Sequence, residues 1–287
     1  VAGELITQDG QLQWRGLLLG AGSAYKLTNL EGWLDLPDMR DGDVPFDSYH
    51  GSQPGQLLSD RRTVTLSFTI STDPAGFTAA QKALRAATAP NENPAEEPLI
   101  VQWDGVKAMV NARCVRRSIP VPRSNGTGYT QGAIQWRATN PRLLHLPQVV
   151  AGPVSPPVAG TGGLIYPLVY PLVYGAAQSG GELVLENEGN APAQPVFRIT
   201  GQCTGPTITN PDTGQQLEFD PAYVLPAGRT LSLTHETRSV LLDDGVSRSN
   251  QLITRQWFTL PVGISRVRFT SADGQGLLEA LYYSTSI

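Results

Sequence analysis

Hydrophobic and polar residues alternate with period two over several short stretches of this chain. The clearest is RRTVTLSFTI, ending at Ile70. Val64, Leu66, Phe68 and Ile70 fall on one side and Thr63, Thr65, Ser67 and Thr69 on the other, the pattern of a half-buried strand. Leu12 and Trp14 share a face ahead of the wholly apolar Leu17-Leu18-Leu19, and AYKLTNLEGWL follows with Gly32 as a turn. PLIVQW and KAMVNARCV read as two strands joined at Asp104-Gly105, a favoured hairpin turn, and GAIQWRAT as another. One segment has a different period. Phe77, Ala80, Leu84 and Ala87 lie on one helical face, the stretch is rich in alanine, and Pro90 stands where the helix must stop. Asp35 to Gly55, full of Asp, Gly and Pro, reads as a long irregular loop.

From about Gly181 the pattern is a run of short alternating pieces: ELVLEN, PVFRITG, QQLEFD, RTLSLTH, RSVLLDDG, QWFTL and SRVRFTS. Turn residues separate them, and Asp243 to Ser247 reads as a hairpin tip. This spacing predicts an antiparallel sandwich or jelly roll. Between the two patterned regions the composition shifts to Pro, Gly and small residues, with the repeat YPLVYPLVY at Tyr166 to Tyr174. Recurrent proline forbids regular helix and favours extended geometry, while Tyr and Leu point to packing along a surface. The expected organisation is an N-terminal β domain at 1–147, a connection at 148–180 and a C-terminal β domain at 181–287.

Composition supports this reading. The 287 residues include 30 Gly and 23 Pro, which favours strands and turns over long helices, and 40% hydrophobic residues with 16% charged suffice for a core. The fold class expected is mainly β with one helix. A net charge of -4 opposes non-specific nucleic-acid binding, which needs a basic surface. Cys114 and Cys203 are far apart and fall in different expected domains, so buried thiols are the reading rather than a disulfide framework or zinc site. No apolar run is long enough to span a membrane as a helix, and the opening VAGELITQDGQLQWRG lacks the basic and apolar regions of a secretory leader.

Signatures of catalysis are missing. There is no phosphate-binding G-x-x-x-x-G-K-[ST], no H-E-x-x-H and no G-x-S-x-G. Gly160 to Gly163 lacks the third glycine of a dinucleotide fingerprint, and His50, His145 and His235 have no ligand-type spacing. Asp38, Asp41, Asp43 and Asp47 cluster around Gly42, which raises calcium binding against the plainer reading of a solvated acidic loop. The spacing does not fit an EF-hand, and Pro45 and Phe46 interrupt it. Asn125 matches a glycosylation acceptor, without a secretory signal to give it meaning. No carboxylate pair stands out for glycoside hydrolysis. Neither an enzyme activity nor a cofactor is expected.

The C-terminal half resembles the siphophage distal tail protein family. The residues that carry the resemblance are the Asn187-Glu188-Gly189 turn, a strand opened by Pro195 and closed at Ile199 and Gly201, and then Ile208, Asn210, Thr213 and Gly214. Downstream, LPAGRTLSL, the hairpin around Gly245, Trp257, Gly263 and the closing strand to Phe269 continue the series. Ile264-Ser265 departs from it, since Asn is common after that glycine. The N-terminal loop, strand and helix follow the same order more loosely. Asn and Gly tolerate positive φ, so these positions mark turns of a fold and not an active site.

The resemblance implies a ring-forming N-terminal belt domain and a C-terminal galectin-like β sandwich. It implies a homohexameric hub at the distal end of a long non-contractile tail, in contact with the tail tube protein and with tail-tip or fibre proteins. DNA would pass through the lumen without specific binding, and no membrane is involved. The place implied is the virion, assembled in the host cytoplasm. The alternative is a carbohydrate-binding, lectin-like tail protein, with Trp257 and Tyr223 as candidate platforms and Trp257 favoured as core. A cell-wall hydrolase is the remaining reading.

Overall fold

A computed structural model describes residues 3–90, 92, 95–120, 128–157 and 180–287. Among them the chain is mainly β, with one α-helix. It divides into two compact units, Val1–Leu146 with Ser286–Ile287, and Pro147–Thr285.

The N-terminal unit begins with β1 (Gln11–Trp14), β2 (Leu17–Gly20) and β3 (Tyr25–Glu31). Four two-residue strands follow: β4 (Met39–Arg40), β5 (Val44–Pro45), β6 (Ser52–Gln53) and β7 (Leu58–Ser59). Then come β8 (Arg62–Ser71), α1 (Pro74–Ala87), β9 (Glu97–Trp103), β10 (Val106–Ser118), β11 (Tyr129–Ala138) and β12 (Leu143–His145). The main sheet runs β2-β1-β9-β10-β11-β8-β3, with β12 also pairing β10.

The alternation in β8 has its expected cause. Val64, Leu66, Phe68 and Ile70 are buried in a core with Leu12, Trp14, Ile134 and Trp136. Trp14 and Trp136 meet at 5.8 Å between ring centroids, and Trp14 Nε1 donates to Ala87 O at 2.9 Å, so the large ring is buried with its polar atom satisfied. Burial of one such side chain contributes about 2–3 kcal/mol. The β9–β10 turn falls at Asp104-Gly105, both in the left-handed region with φ 50 and 75.

Helix α1 buries Phe77, Ala80 and Leu84 and stops before Pro90. Its N-cap is Asp73, whose Oδ2 accepts from Gly76 N–H at 3.2 Å. Replacing Asp73 by alanine should cost about 1 kcal/mol, read as a lower urea midpoint with an unchanged slope.

The C-terminal unit contains β13 (Val149–Val154), β14 (Glu182–Asn187), β15 (Val196–Thr200), β16 (Cys203–Thr204), β17 (Thr207–Thr209) and β18 (Gln216–Phe219). It continues with β19 (Val224–Leu225), β20 (Thr230–Thr234), β21 (Ser239–Leu242), β22 (Leu252–Arg255), β23 (Gly263–Thr270) and β24 (Leu277–Tyr282). Two five-stranded antiparallel sheets, β13-β24-β15-β20-β21 and β14-β23-β17-β18-β22, form a sandwich. One core draws on both: Phe197, Ile199, Leu231 and Leu278 from the first, Leu185, Ile208, Phe219 and Phe269 from the second.

Three expectations change. The segment expected as a connection at 148–180 starts with β13, which pairs with β24 and belongs to the C-terminal unit. The YPLVYPLVY repeat and Gly160–Gly163 lie outside the described residues, as does Asn125. QWFTL is not a strand. Phe258 and Leu260 are buried alternately, which gives the period, but the backbone contacts are isolated: Gln256 N–H donates to Gln216 O at 3.0 Å and Leu260 bridges Ala193. The strand itself lies just upstream at β22. Finally, Asp35 to Gly55 is not simply irregular, because β4 pairs with β7 and β5 with β6.

Candidate functional site

The nine positions that mark the C-terminal motif do not converge on a pocket. Asn187 is their structural centre. Its side chain is 1% exposed, and Nδ2 donates to Ala191 O at 2.8 Å and Leu260 O at 3.2 Å. Its Oδ1 accepts from Gly189 N–H at 3.2 Å and Thr285 N–H at 3.1 Å. One buried amide thus satisfies main-chain groups from several segments, the condition for burying a polar side chain at all. Gly189 sits against the same place: a Cβ there would stand 1.8 Å from Thr285 O.

Asn210 repeats the device at a turn. Its Oδ1 accepts from Asp212 N–H at 2.9 Å and Thr213 N–H at 3.2 Å, and Gly214 closes the turn with φ 73. Gly201, Gly245 and Gly263 also have positive φ, and buried Pro195 immediately precedes β15. Trp257 is half-buried against the core with its ring edge-on to His235. Tyr223 is half-buried and stacks on Phe219 at 5.2 Å. Among the described residues of this unit no aromatic side chain is strongly exposed.

The other candidates stay separate. His50 is exposed, His145 bonds Ser286 Oγ at 2.8 Å through Nε2, and His235 faces Trp257. Among the described residues no group of three His, Cys, Asp or Glu side chains is placed to hold a metal. In the aspartate cluster, Asp43 is engaged locally, accepting from Gly55 N–H at 2.9 Å and Ser52 Oγ at 3.3 Å. Cys114 is half-buried and Cys203 buried; burial pushes the Cys203 thiol up to about 12.

A feature that the sequence pattern did not reveal is the arm formed by residues 38–60. Asp60 N–H donates to Asp38 O at 2.7 Å at its base, β4–β7 and β5–β6 continue it, and Phe46 N–H donates to Gly51 O at 3.1 Å near the tip. Gly42 and Gly55 let its two strands meet: a Cβ on Gly55 would lie 2.0 Å from Gly42 O. Apolar side chains project from it with no core to cover them. Val44 is 62% exposed, Tyr49 66% and Leu57 60%, and the Phe46 and Tyr49 rings stack at 4.4 Å. Its five aspartates and single arginine give it a net charge of -4, equal to that of the whole chain, so the remaining residues balance.

The same unit has a basic corner. Arg117 Nη1 donates to Arg85 O at 3.0 Å and Thr88 Oγ1 at 2.8 Å, which ties the end of α1 to β10. Arg85 and Arg117 are exposed there, and β10 also carries exposed Arg113 and Arg116. An exposed apolar arm that is also acidic, on a unit with exposed arginines, has the surface character suited to protein contact.

Residues 188–283 match the family model described as siphovirus-type tail component, C-terminal domain. No curated protein matches the chain by sequence. Among solved structures, the fold corresponds to the crystal structure of the Dit protein of phage SPP1, described as a paradigm of the hub adsorption apparatus in phages that infect Gram-positive bacteria. That similarity has a TM-score of 0.66 at 10% identity and covers 96% of this chain and 99% of that one. Chains of the phage P2 baseplate in its activated conformation are more distant. The calcium form has a TM-score of 0.47 at 6% identity, covering 91% of each chain, and the strontium form 0.48 at 6%, covering 94% and 96%. The β sandwich whose turns fall at the marked positions is thus similar, over residues 188–283, to the C-terminal domain of siphovirus-type tail components.

Proposed function

We propose that this protein is a structural hub at the distal end of a long non-contractile phage tail. The observation that carries the reading is the correspondence of fold with the Dit hub protein along almost the whole of both chains. Copies of the N-terminal unit join into a homohexameric ring, and the C-terminal sandwiches decorate it. The ring links the tail tube to the tail-tip or fibre proteins, and DNA passes through its lumen. The chain works by contact and catalyses nothing. Its place is the virion, after assembly in the host cytoplasm.

The arm supports self-association. Its acidic, apolar surface and the basic corner of the same unit are opposite in sign, as a head-to-tail contact between copies requires. Head-to-tail contacts close into rings when the rotation permits. The carbohydrate-binding alternative has less support, because Trp257 and Tyr223 are both half-buried against the sandwich core.

Light scattering tests the reading. Six copies of a 30.8 kDa chain should give a particle of about 185 kDa, with a central hole in negatively stained images. A chain that stays monomeric over the whole concentration range, alone and with tail tube protein added, would refute it.

A further inference from the structure

Arg62 opens β8 directly after the arm, and its side chain is only 1% exposed. Nε donates to Pro141 O at 2.8 Å. Nη1 is shared among Gly32 O at 2.7 Å, Trp33 O at 2.9 Å and Asp35 O at 2.8 Å. These four acceptors are main-chain carbonyls. Three of them belong to the segment that leads into the arm, while Arg62 stands where the chain leaves it.

A guanidinium buried against carbonyls is a costly choice for stability alone. Burial disfavours its charged form, with Asp35 giving some support from nearby. Replacing a whole buried ion pair by apolar side chains is often neutral or stabilising, but here the acceptors are main-chain carbonyls that an apolar side chain would leave without this donor. What the guanidinium offers instead is a planar fork whose donors have fixed directions. The base of the arm is tight in other respects too. A Cβ on Gly32 would lie 1.9 Å from Thr63 O, so the leading segment is pressed against β8. Beyond Asp38 and Asp60 most side chains are exposed, and nothing in a core orients the arm. Its direction is set at its base.

We propose that Arg62 is the positioning residue of the arm: its bonds to Gly32, Trp33, Asp35 and Pro141 fix the direction in which residues 38–60 leave the N-terminal unit. That the arm then meets a second copy rests on the function proposed above; the positioning does not.

Amide hydrogen exchange on the full chain, at a concentration where it is monomeric, tests this. In Arg62→Met, which keeps the volume and removes the fork, exchange across residues 38–60 should rise at least tenfold. Exchange in β8 from Val64 and in β11 should stay within twofold of the parent. Arm exchange that does not change would overturn the proposal. So would a uniform rise across the unit, because Arg62 would then be an ordinary core residue. If Arg62→Met does not fold, Arg62→Lys decides by the same criteria, since it keeps the charge without the planar fork. Failure of both to fold would also refute a role confined to the arm. The exchange needs no assembly, so an error in the docking reading would show only in the tip variants considered below.

Discussion

Alanine at Gly189 should destabilise the C-terminal unit by more than about 4 kcal/mol, beyond the usual range for one substitution. The added Cβ would sit 1.8 Å from Thr285 O and 2.4 Å from its carbonyl carbon, and those atoms are main chain, which no rotamer change can move. Thr285 is itself held by Asn187, which accepts its N–H at 3.1 Å, so relief of the clash would break the buried amide network as well. Calorimetry of the full chain should show a transition lowered by roughly 10–15 °C. Gly214→Ala is the matched control. Gly214 has φ 73 but no atom within 4 Å of an added Cβ, so alanine there meets backbone strain alone and should cost about 1 kcal/mol. Equal effects at the two sites would mean that the contact with Thr285 yields easily and costs no more than the backbone strain at Gly214.

Serine at both Phe46 and Tyr49 should raise the concentration needed for self-association at least a hundredfold, while the monomer's thermal midpoint stays unchanged. The two rings stack on each other at 4.4 Å rather than on the domain, so the fold of the monomer loses little. At an interface, by contrast, buried aromatic anchors are each worth about 2 kcal/mol or more. Sedimentation across a range of concentration reads the first effect and calorimetry the second. Assembly at parental concentrations would remove the arm tip from the interface. A large fall in midpoint would show that the rings act within the chain.

Much of the fold was legible because its core has the period of its elements. The alternation of Val64, Leu66, Phe68 and Ile70, the face formed by Phe77, Ala80 and Leu84, and the Asp104-Gly105 turn each follow from local geometry. The arm was not legible for the same physical reason in reverse. Neither face of β4 to β7 is buried in a core, so burial stamps no period on their sequence, and the residues that make the arm possible are two glycines and a turn. Arg62 was hidden because a buried arginine next to exposed Arg61 looks like part of a polar strand end; only the four carbonyls distinguish it. β13 was masked by its proline and glycine, with its partner β24 far along the chain. The marked turns were legible as turns, but the reason for Gly189, a carbonyl from the other end of the unit, was not.

The position of β24 also governs the order in which the protein can be made. It is the strand between β13 and β15, and both of these emerge from the ribosome long before it. Until Leu277–Tyr282 is synthesised, the first sheet of the sandwich has a gap at that point, with strand edges and apolar faces open to water. The main-sheet strands of the N-terminal unit from β1 to β11 find their partners between Gln11 and Ala138, and only β12 also pairs with a late strand, Thr285–Ser286. Synthesis therefore presents a nearly finished first unit beside a second that must wait for a distant strand, and loop closure of that length slows folding. The half-made sandwich is the state in which this chain most needs protection from its neighbours on the polysome.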